Sequence, residues 1–185
     1  LDLVEVLSTN KISFFQLRLK DENYKKSLSI AKKAKRICKK FNVKFIINDN
    51  PSFAKKIGAD GCHLGQKDIC LQQARKILKR RIIGVTCHNS IKLVKKATKD
   101  GADYVALGSF FKSKTKKNAI KSSIQIINKA KKVSKLPIVC IGGITDKNYK
   151  KLILHKPNFL AISSYIWSNS KLKPKEAAKK LIYEN

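Results

Sequence analysis

IIGVTCHNSIKLVKKATKDGADYVAL, residues 82–107, decides the fold class. Ile82 to Cys87 is a short apolar run with the β-branched content of a buried strand. Ser90 is a residue type that caps helices, and Ile91, Val94 and Ala97 then recur at three-residue spacing along one helical face. Gly101-Ala102-Asp103 stops that helix, with Gly at the left-handed position, and Tyr104 to Leu107 opens a second apolar run. Strand, helix and strand in this order form a βαβ unit, whose crossover makes the two strands parallel.

The same alternation extends in both directions. Apolar runs at Ile12 to Leu19, Lys44 to Ile47, Gly61 to Leu64, Pro137 to Ile141 and Phe159 to Ile166 bring the predicted strands to seven. Helical stripes stand between them, with Ile30, Ala34, Ile37 and Phe41 in one and Ile124, Ile127, Ala130 and Val133 in another. Asp21, Ser90 and Asp146 read as caps, Pro174 opens the last helix, and Gly58-Ala59-Asp60 repeats the turn of residues 101–103. A polar loop spans Lys112 to Ala119.

Seven such units behind a helical stub at Leu3, Val4 and Leu7 predict a single (β/α)8 TIM-barrel domain over residues 1–185, one strand short. The chain has no Met and begins at Leu1, so the first strand and the true start are expected upstream. An open doubly wound sheet is the alternative. Either architecture puts chemistry at the carboxyl ends of the strands.

The charge narrows the function classes. Lys and Arg number 42 against 12 Asp and Glu, a net +30. Lys supplies nearly all of it, whereas nucleic-acid readers favour the planar fork of Arg. A solvated Lys-rich surface is therefore preferred to nucleic-acid binding, and it would draw anionic ligands toward any cleft. No apolar run reaches the ~18 to 20 residues of a membrane span. Five cysteines without a C-x-x-C pair fit a reduced, cytoplasmic setting.

Gln16, Arg18 and Lys20 alternate with Leu17 and Leu19, so the three polar side chains share one face at the end of the first strand. Asp49 and Asp68 fall just beyond the next two strands. Two acids there, in a chain with so few, suggest a hard oxygen-bound cation such as Mg²⁺, although either alone is also a common turn residue. His63 and His88 adjoin Cys62 and Cys87, but neighbours along a strand point to opposite faces and cannot easily share a zinc ion. The loop from Gly108 to Lys116 carries hydroxyls and ammonium groups suited to phosphate. Gly142-Gly143 after a strand, with Ser163 and Ser164 ending the last run, suggests a second phosphate pocket.

Gln16-Leu17-Arg18-x-Lys20, Ile47-Asn48-Asp49, Gly61-x-His63-Leu64-Gly65-Gln66-x-Asp68, Gly84-Val85-Thr86-x-His88, Asp103-Tyr104-Val105 with Gly108, Thr115-Lys116 and Ile141-Gly142-Gly143-Ile144 follow one another as in thiamine phosphate synthases. From about Ile12 to Ser164 the chain resembles that family. The resemblance implies a barrel that joins hydroxymethylpyrimidine pyrophosphate to thiazole phosphate, releasing pyrophosphate with Mg²⁺. It implies that Gln16 meets the pyrimidine, that Arg18, Lys20 and Asn48 hold the pyrophosphate, and that Asp49 and Asp68 ligate the metal. Thr86, Ser113, Thr115 and Lys116 would line the pyrimidine and pyrophosphate side, with Arg18, Lys20 and Lys116 as the catalytic cations. Gly143, Ser163 and Ser164 would take the thiazole phosphate.

Ser109 and Lys112 stand where the family usually has prolines, and Thr86 and Ser113 exchange one hydroxyl residue for another. A thiazole tautomerase-like relative is the competing enzyme, but it needs a His acid or base at the thiazole end, which neither His63 nor His88 supplies. A non-catalytic phosphate-binding barrel and a basic nucleic-acid-binding protein are the readings from other classes. Association with further copies of the chain is left open.

Overall fold

The computed structural model describes residues 2–9, 12–19, 22–112 and 122–181. Strands and helices alternate as the periodicity predicts. The strands are β1 (Phe14–Leu17), β2 (Lys44–Asn48), β3 (Gly61–Leu64), β4 (Ile82–His88), β5 (Tyr104–Leu107), β6 (Ile138–Ile141) and β7 (Phe159–Ala161). The helices are α1 (Asp2–Leu7), α2 (Tyr24–Lys40), α3 (Pro51–Ile57), α4 (Leu71–Leu78), α5 (Ile91–Lys99), α6 (Gln125–Val133), α7 (Tyr149–Ile153), α8 (Ser164–Trp167) and α9 (Pro174–Lys179). The hydrogen-bonded strand order is the chain order. This is an α/β fold with seven strands in the described residues, each followed by a helix. The chain forms two compact units whose boundary, between Gly84 and Val85, falls inside β4.

In the first unit β1, β2 and β3 pair in parallel, with Leu17 beside Ile47 and Ile47 beside Cys62. Ile82 N at the start of β4 donates to Asp60 O at 3.0 Å. All four residues of β3 are buried, as are Phe45, Ile46 and Ile47 of β2. Such runs, apolar on both faces, are what a covered parallel sheet requires. β1 alternates exposed and half-buried positions instead, and it ends at Leu17, level with its last partner Ile47.

Helix α2 buries Ala31, Ala34 and Cys38, a seam of small residues one step away from the larger Ile30, Ile37 and Phe41, which stay half-buried. Its cap is Asn23, whose side chain accepts from Lys26 N at 2.8 Å, and not Asp21, which lies outside the described residues. The opposite face carries Lys25, Lys26, Lys32, Lys33, Arg36, Lys39 and Lys40, all exposed. Glu22 pairs with Lys26 at 2.8 Å.

In the second unit β5, β6 and β7 pair in parallel, Leu107 beside Cys140 and Ile141 beside Ala161. Val105, Ala106, Leu107, Ile138 and Cys140 of its strands are buried, as are Val94, Ile127, Ala130 and Leu152 of its helices. Ser90 caps α5 as expected, accepting from Leu93 N at 3.3 Å, and Pro174 opens α9. Two expectations are corrected. The run from Phe159 to Ile166 is a strand only as far as Ala161, because its partner β6 turns aside at Gly142 and leaves no ladder beyond Ile141. Asn148, not Asp146, occupies the N-cap position of α7. Both Gly-Ala-Asp turns hold as read: Gly58 and Gly101 have φ of 65° and 84°.

Candidate active site

In the first unit Gln16, Arg18, Asn48, Asp49 and Asp68 all lie at the carboxyl ends of β1, β2 and β3 or in the turns that follow. The Gln16 side-chain amide donates to Asn48 Oδ1 at 2.5 Å, which orients two polar groups of adjacent strands together. Arg18 follows β1 and is exposed. Lys20 lies outside the described residues.

Each aspartate is fixed by backbone. Asp49 N donates to His63 O at 2.8 Å, and Asp49 itself is left-handed, with φ 65°. That conformation is one that Asp tolerates better than most residues. Asn50 follows as the cap of α3, accepting from Phe53 N at 2.9 Å, and Pro51 fills the first helical position. The Asn50-Pro51 pair is the signal by which this support could have been found in the sequence. Asp68 reaches back to Gly65, its Oδ2 accepting from Gly65 N at 2.6 Å. Both carboxylates act on the buried thiol of Cys62 between them in sequence, so their charges share one neighbourhood.

The Cys62 thiol is pushed up to about 12, first by burial and then by Asp49 and Asp68. Burial raises Cys38, Cys87 and Cys140 to about 12 as well. Only the thiolate attacks a disulfide reagent. Since these four stay protonated at pH 8 and Cys70 is exposed, the folded protein should yield one reactive thiol to an aromatic disulfide reagent and five after unfolding. More than one fast-reacting thiol in the native state would contradict the burial of the core cysteines.

In the second unit Thr86 is half-buried in β4, and His88, at φ 50°, ends the strand with its carbonyl accepting from Gly108 N at 3.3 Å. Ser113, Thr115 and Lys116 lie outside the described residues. The segment before them folds along the end of β6, Phe110 N donating to Ile141 O at 3.2 Å and Phe111 N to Gly142 O at 3.1 Å. This explains the two glycines in a way the sequence did not reveal. A Cβ on Gly142 would come 2.0 Å from Ser109 Oγ, and one on Gly143 would come 2.5 Å from Lys112 O. The missing side chain of Gly142 makes room for Ser109, and that of Gly143 for the backbone of Phe111 and Lys112, whatever else they admit.

Asn148 ties the turn together, its side-chain amide donating to Gly143 O at 2.9 Å while its Oδ1 accepts from Thr145 N at 2.9 Å. Ser163 is the N-cap residue of α8 and Ser164 its first residue. The register of Ile141 with Ala161 sets Gly143, Ser163 and Ser164 at the same end of neighbouring strands. Among the described residues no cluster of three or more His, Cys, Asp or Glu side chains could hold a metal.

The model of the thiamine monophosphate synthase family matches residues 1–166. The chain belongs to that family. Over 180 residues it is 62% identical to the thiamine-phosphate synthase of Pelagibacter ubique, covering 97% of this chain and 87% of that protein. The thiamine-phosphate synthase of Saccharophagus degradans is 39% identical over 90% of this chain and 77% of its own length. Among solved structures, the thiamine phosphate pyrophosphorylase of Pyrococcus furiosus superposes with a TM-score of 0.88 at 25% identity, covering 97% of this chain and 85% of that one. A 3-hexulose-6-phosphate synthase shares the fold alone, with a TM-score of 0.74 at 15% identity over 98% of this chain and 90% of that one.

Proposed function

We propose that this member of the thiamine monophosphate synthase family is a cytoplasmic thiamine-phosphate synthase built as one eight-stranded (β/α)8 domain. It joins hydroxymethylpyrimidine pyrophosphate to hydroxyethylthiazole phosphate. In the reaction the bond between the pyrimidine methylene carbon and the pyrophosphate oxygen breaks, and that carbon gains a bond to the thiazole nitrogen. The nitrogen lone pair supplies the new bond and pyrophosphate carries away the old pair, so no oxidant or protein nucleophile is needed.

The observation that carries this reading is the pair Asp49 and Asp68 at the ends of adjacent parallel strands, beside the Gln16–Asn48 hydrogen bond. Two carboxylates fit Mg²⁺, which keeps several waters and fills its shell with substrate phosphates. When bound, Mg²⁺ offsets charge on the departing pyrophosphate.

The chain's own groups do the rest. Asn48, Arg18 and Lys20 bind the diphosphate oxygens, and Arg18, Lys20 and Lys116 stabilise the negative charge that grows as the group leaves. Gln16, held by Asn48, orients the pyrimidine, with Thr86, Ser113 and Thr115 lining that side. Gly143, Ser163 and Ser164 hold the thiazole phosphate so that the ring nitrogen faces the methylene carbon, the positioning that makes the step effectively intramolecular. Water must be kept out, because it would capture the electron-poor carbon.

Supplied with both phosphorylated substrates and Mg²⁺, the protein is expected to release pyrophosphate and form thiamine phosphate in equal amounts. A coupled phosphate assay together with chromatography of the product checks this. Absence of both products would overturn the reading.

A further inference from the structure

His63 is the third residue of β3, and the mechanism above gives its side chain no task. It is 7% exposed and is flanked in the strand by Cys62 at 0% and Leu64 at 2%. An imidazole carries at least one N–H donor in either protonation state, and placing it in an apolar run is costly unless polar groups meet it. Packing alone gives this position no need of a histidine.

The strand register shows what borders it. His63 pairs with Asn48, so the two side chains leave the same face of the sheet from strands about 4.8 Å apart. Gln16 joins them from β1, its amide donating to Asn48 Oδ1. The neighbouring row, Leu17, Ile47 and Cys62, projects from the opposite face and is apolar. Along the polar row exposure falls steadily, with Gln16 exposed, Asn48 half-buried and His63 buried, so the row descends from rim to floor. The His63 carbonyl also accepts from Asp49 N at 2.8 Å. His63 therefore borders both Asn48, assigned above to the diphosphate, and Asp49, assigned to its metal.

We propose that His63 is a further diphosphate-binding residue, whose imidazole N–H donates to the leaving group from the floor of the site, on the side of Asn48 away from Gln16. This rests on the synthase reading for the identity of that diphosphate, which belongs to the pyrimidine substrate. Gln16, Asn48 and His63 then meet the substrate in order, from ring to leaving group. A hydrogen bond to a charged oxygen is stronger than one between neutral groups, and a buried donor exchanges little water to make it.

Calorimetric titration of the intact protein with inorganic pyrophosphate in the presence of Mg²⁺, alongside turnover assays, tests this. His63→Leu is expected to bind pyrophosphate about tenfold or more weakly and to raise the KM for the pyrimidine pyrophosphate to match, with the KM for thiazole phosphate within about twofold of the parent. His63→Gln keeps an N–H donor and should recover most of the loss. Equal affinity in parent and His63→Leu, or a His63→Gln protein as weak as His63→Leu, overturns the proposal. So does a parent protein that does not bind pyrophosphate. A parent that binds it yet forms no thiamine phosphate would remove the synthase reading instead, and the binding comparison would still judge the histidine. If His63→Leu does not fold, the parent decides: the ring N–H resonance of His63, assigned by its persistence in His88→Gln and His155→Gln, must shift when pyrophosphate and Mg²⁺ are added, and an unmoved resonance overturns the proposal.

Discussion

Asp49→Asn is expected to slow pyrophosphate release about a hundredfold or more while leaving the melting temperature within a few degrees of the parent. The two halves of this expectation have separate causes. Asp49 sits at φ 65°, and Asn is one of the few residues that adopts the left-handed region readily. Its amide N would still donate to His63 O, so the end of β2 and the cap of α3 have no reason to move. What disappears is one negative charge of the pair proposed to hold the metal. Removing a single preorganised electrostatic contact at a developing charge typically costs about 10² to 10³ in rate.

The concentration of Mg²⁺ needed for half-maximal rate should rise in the same variant. Asp68→Asn should behave alike, because the amide oxygen can still accept from Gly65 N. Steady-state rates as a function of Mg²⁺, with thermal unfolding as the control, distinguish the cases. A folded Asp49→Asn protein with undiminished turnover would take Asp49 out of the site.

Gly61→Ala should be the most damaging single-methyl substitution for stability in the first unit. The added Cβ would come 2.2 Å from Ile82 O and 2.7 Å from Ile82 Cβ, and the obstacle is largely strand backbone with nowhere to yield. To admit the methyl, β3 must part from the start of β4, giving up the Ile82 N to Asp60 O bond. Overpacking of a close-packed interior costs about 1 to 3 kcal/mol, and a backbone obstacle belongs at the top of that range. In a chain of this size about 3 kcal/mol corresponds to a fall of roughly 6 to 12 °C in Tm.

Gly101→Ala makes the useful contrast. Nothing lies within 4 Å of its added Cβ, so only the left-handed backbone at φ 84° penalises it, by about 1 to 2 kcal/mol. Circular dichroism melts of both variants test the ranking. Equal losses would mean that β3 and β4 are not packed as tightly as described.

The βαβ alternation was legible because a parallel sheet buried on both faces writes itself as apolar runs, and its covering helices as stripes three or four residues apart. The turns at Gly58 and Gly101 were legible because a left-handed helix stop requires a glycine. Asp21 and Asp146 misled because an acid ahead of a helix reads as a cap, whereas Asn23 and Asn148 occupy those positions; Asn148 spends its side chain on the preceding turn.

At the site, the common end of Asp49 and Asp68 could be read from the fact that each follows a predicted strand. The supports of those residues could not be read so directly. Gly65 N becomes a partner of Asp68 only once the turn has closed, and the crowding of Gly142 against Ser109 joins positions 33 residues apart, which no local pattern records.

The cation-bearing face of α2 has a consequence for the medium in which the chain works. Seven like charges share one helical surface with Glu22 as the paired acid, and their mutual repulsion is tempered by dissolved ions rather than by protein. At physiological ionic strength the Debye length is about 8 Å, roughly the rise of five to six helical residues, so each lysine feels little beyond its immediate neighbours. In dilute buffer the same length grows to about 30 Å, longer than the helix itself, and the whole row then pushes as one. Counter-ions from solution are, for this helix, part of what keeps it wound.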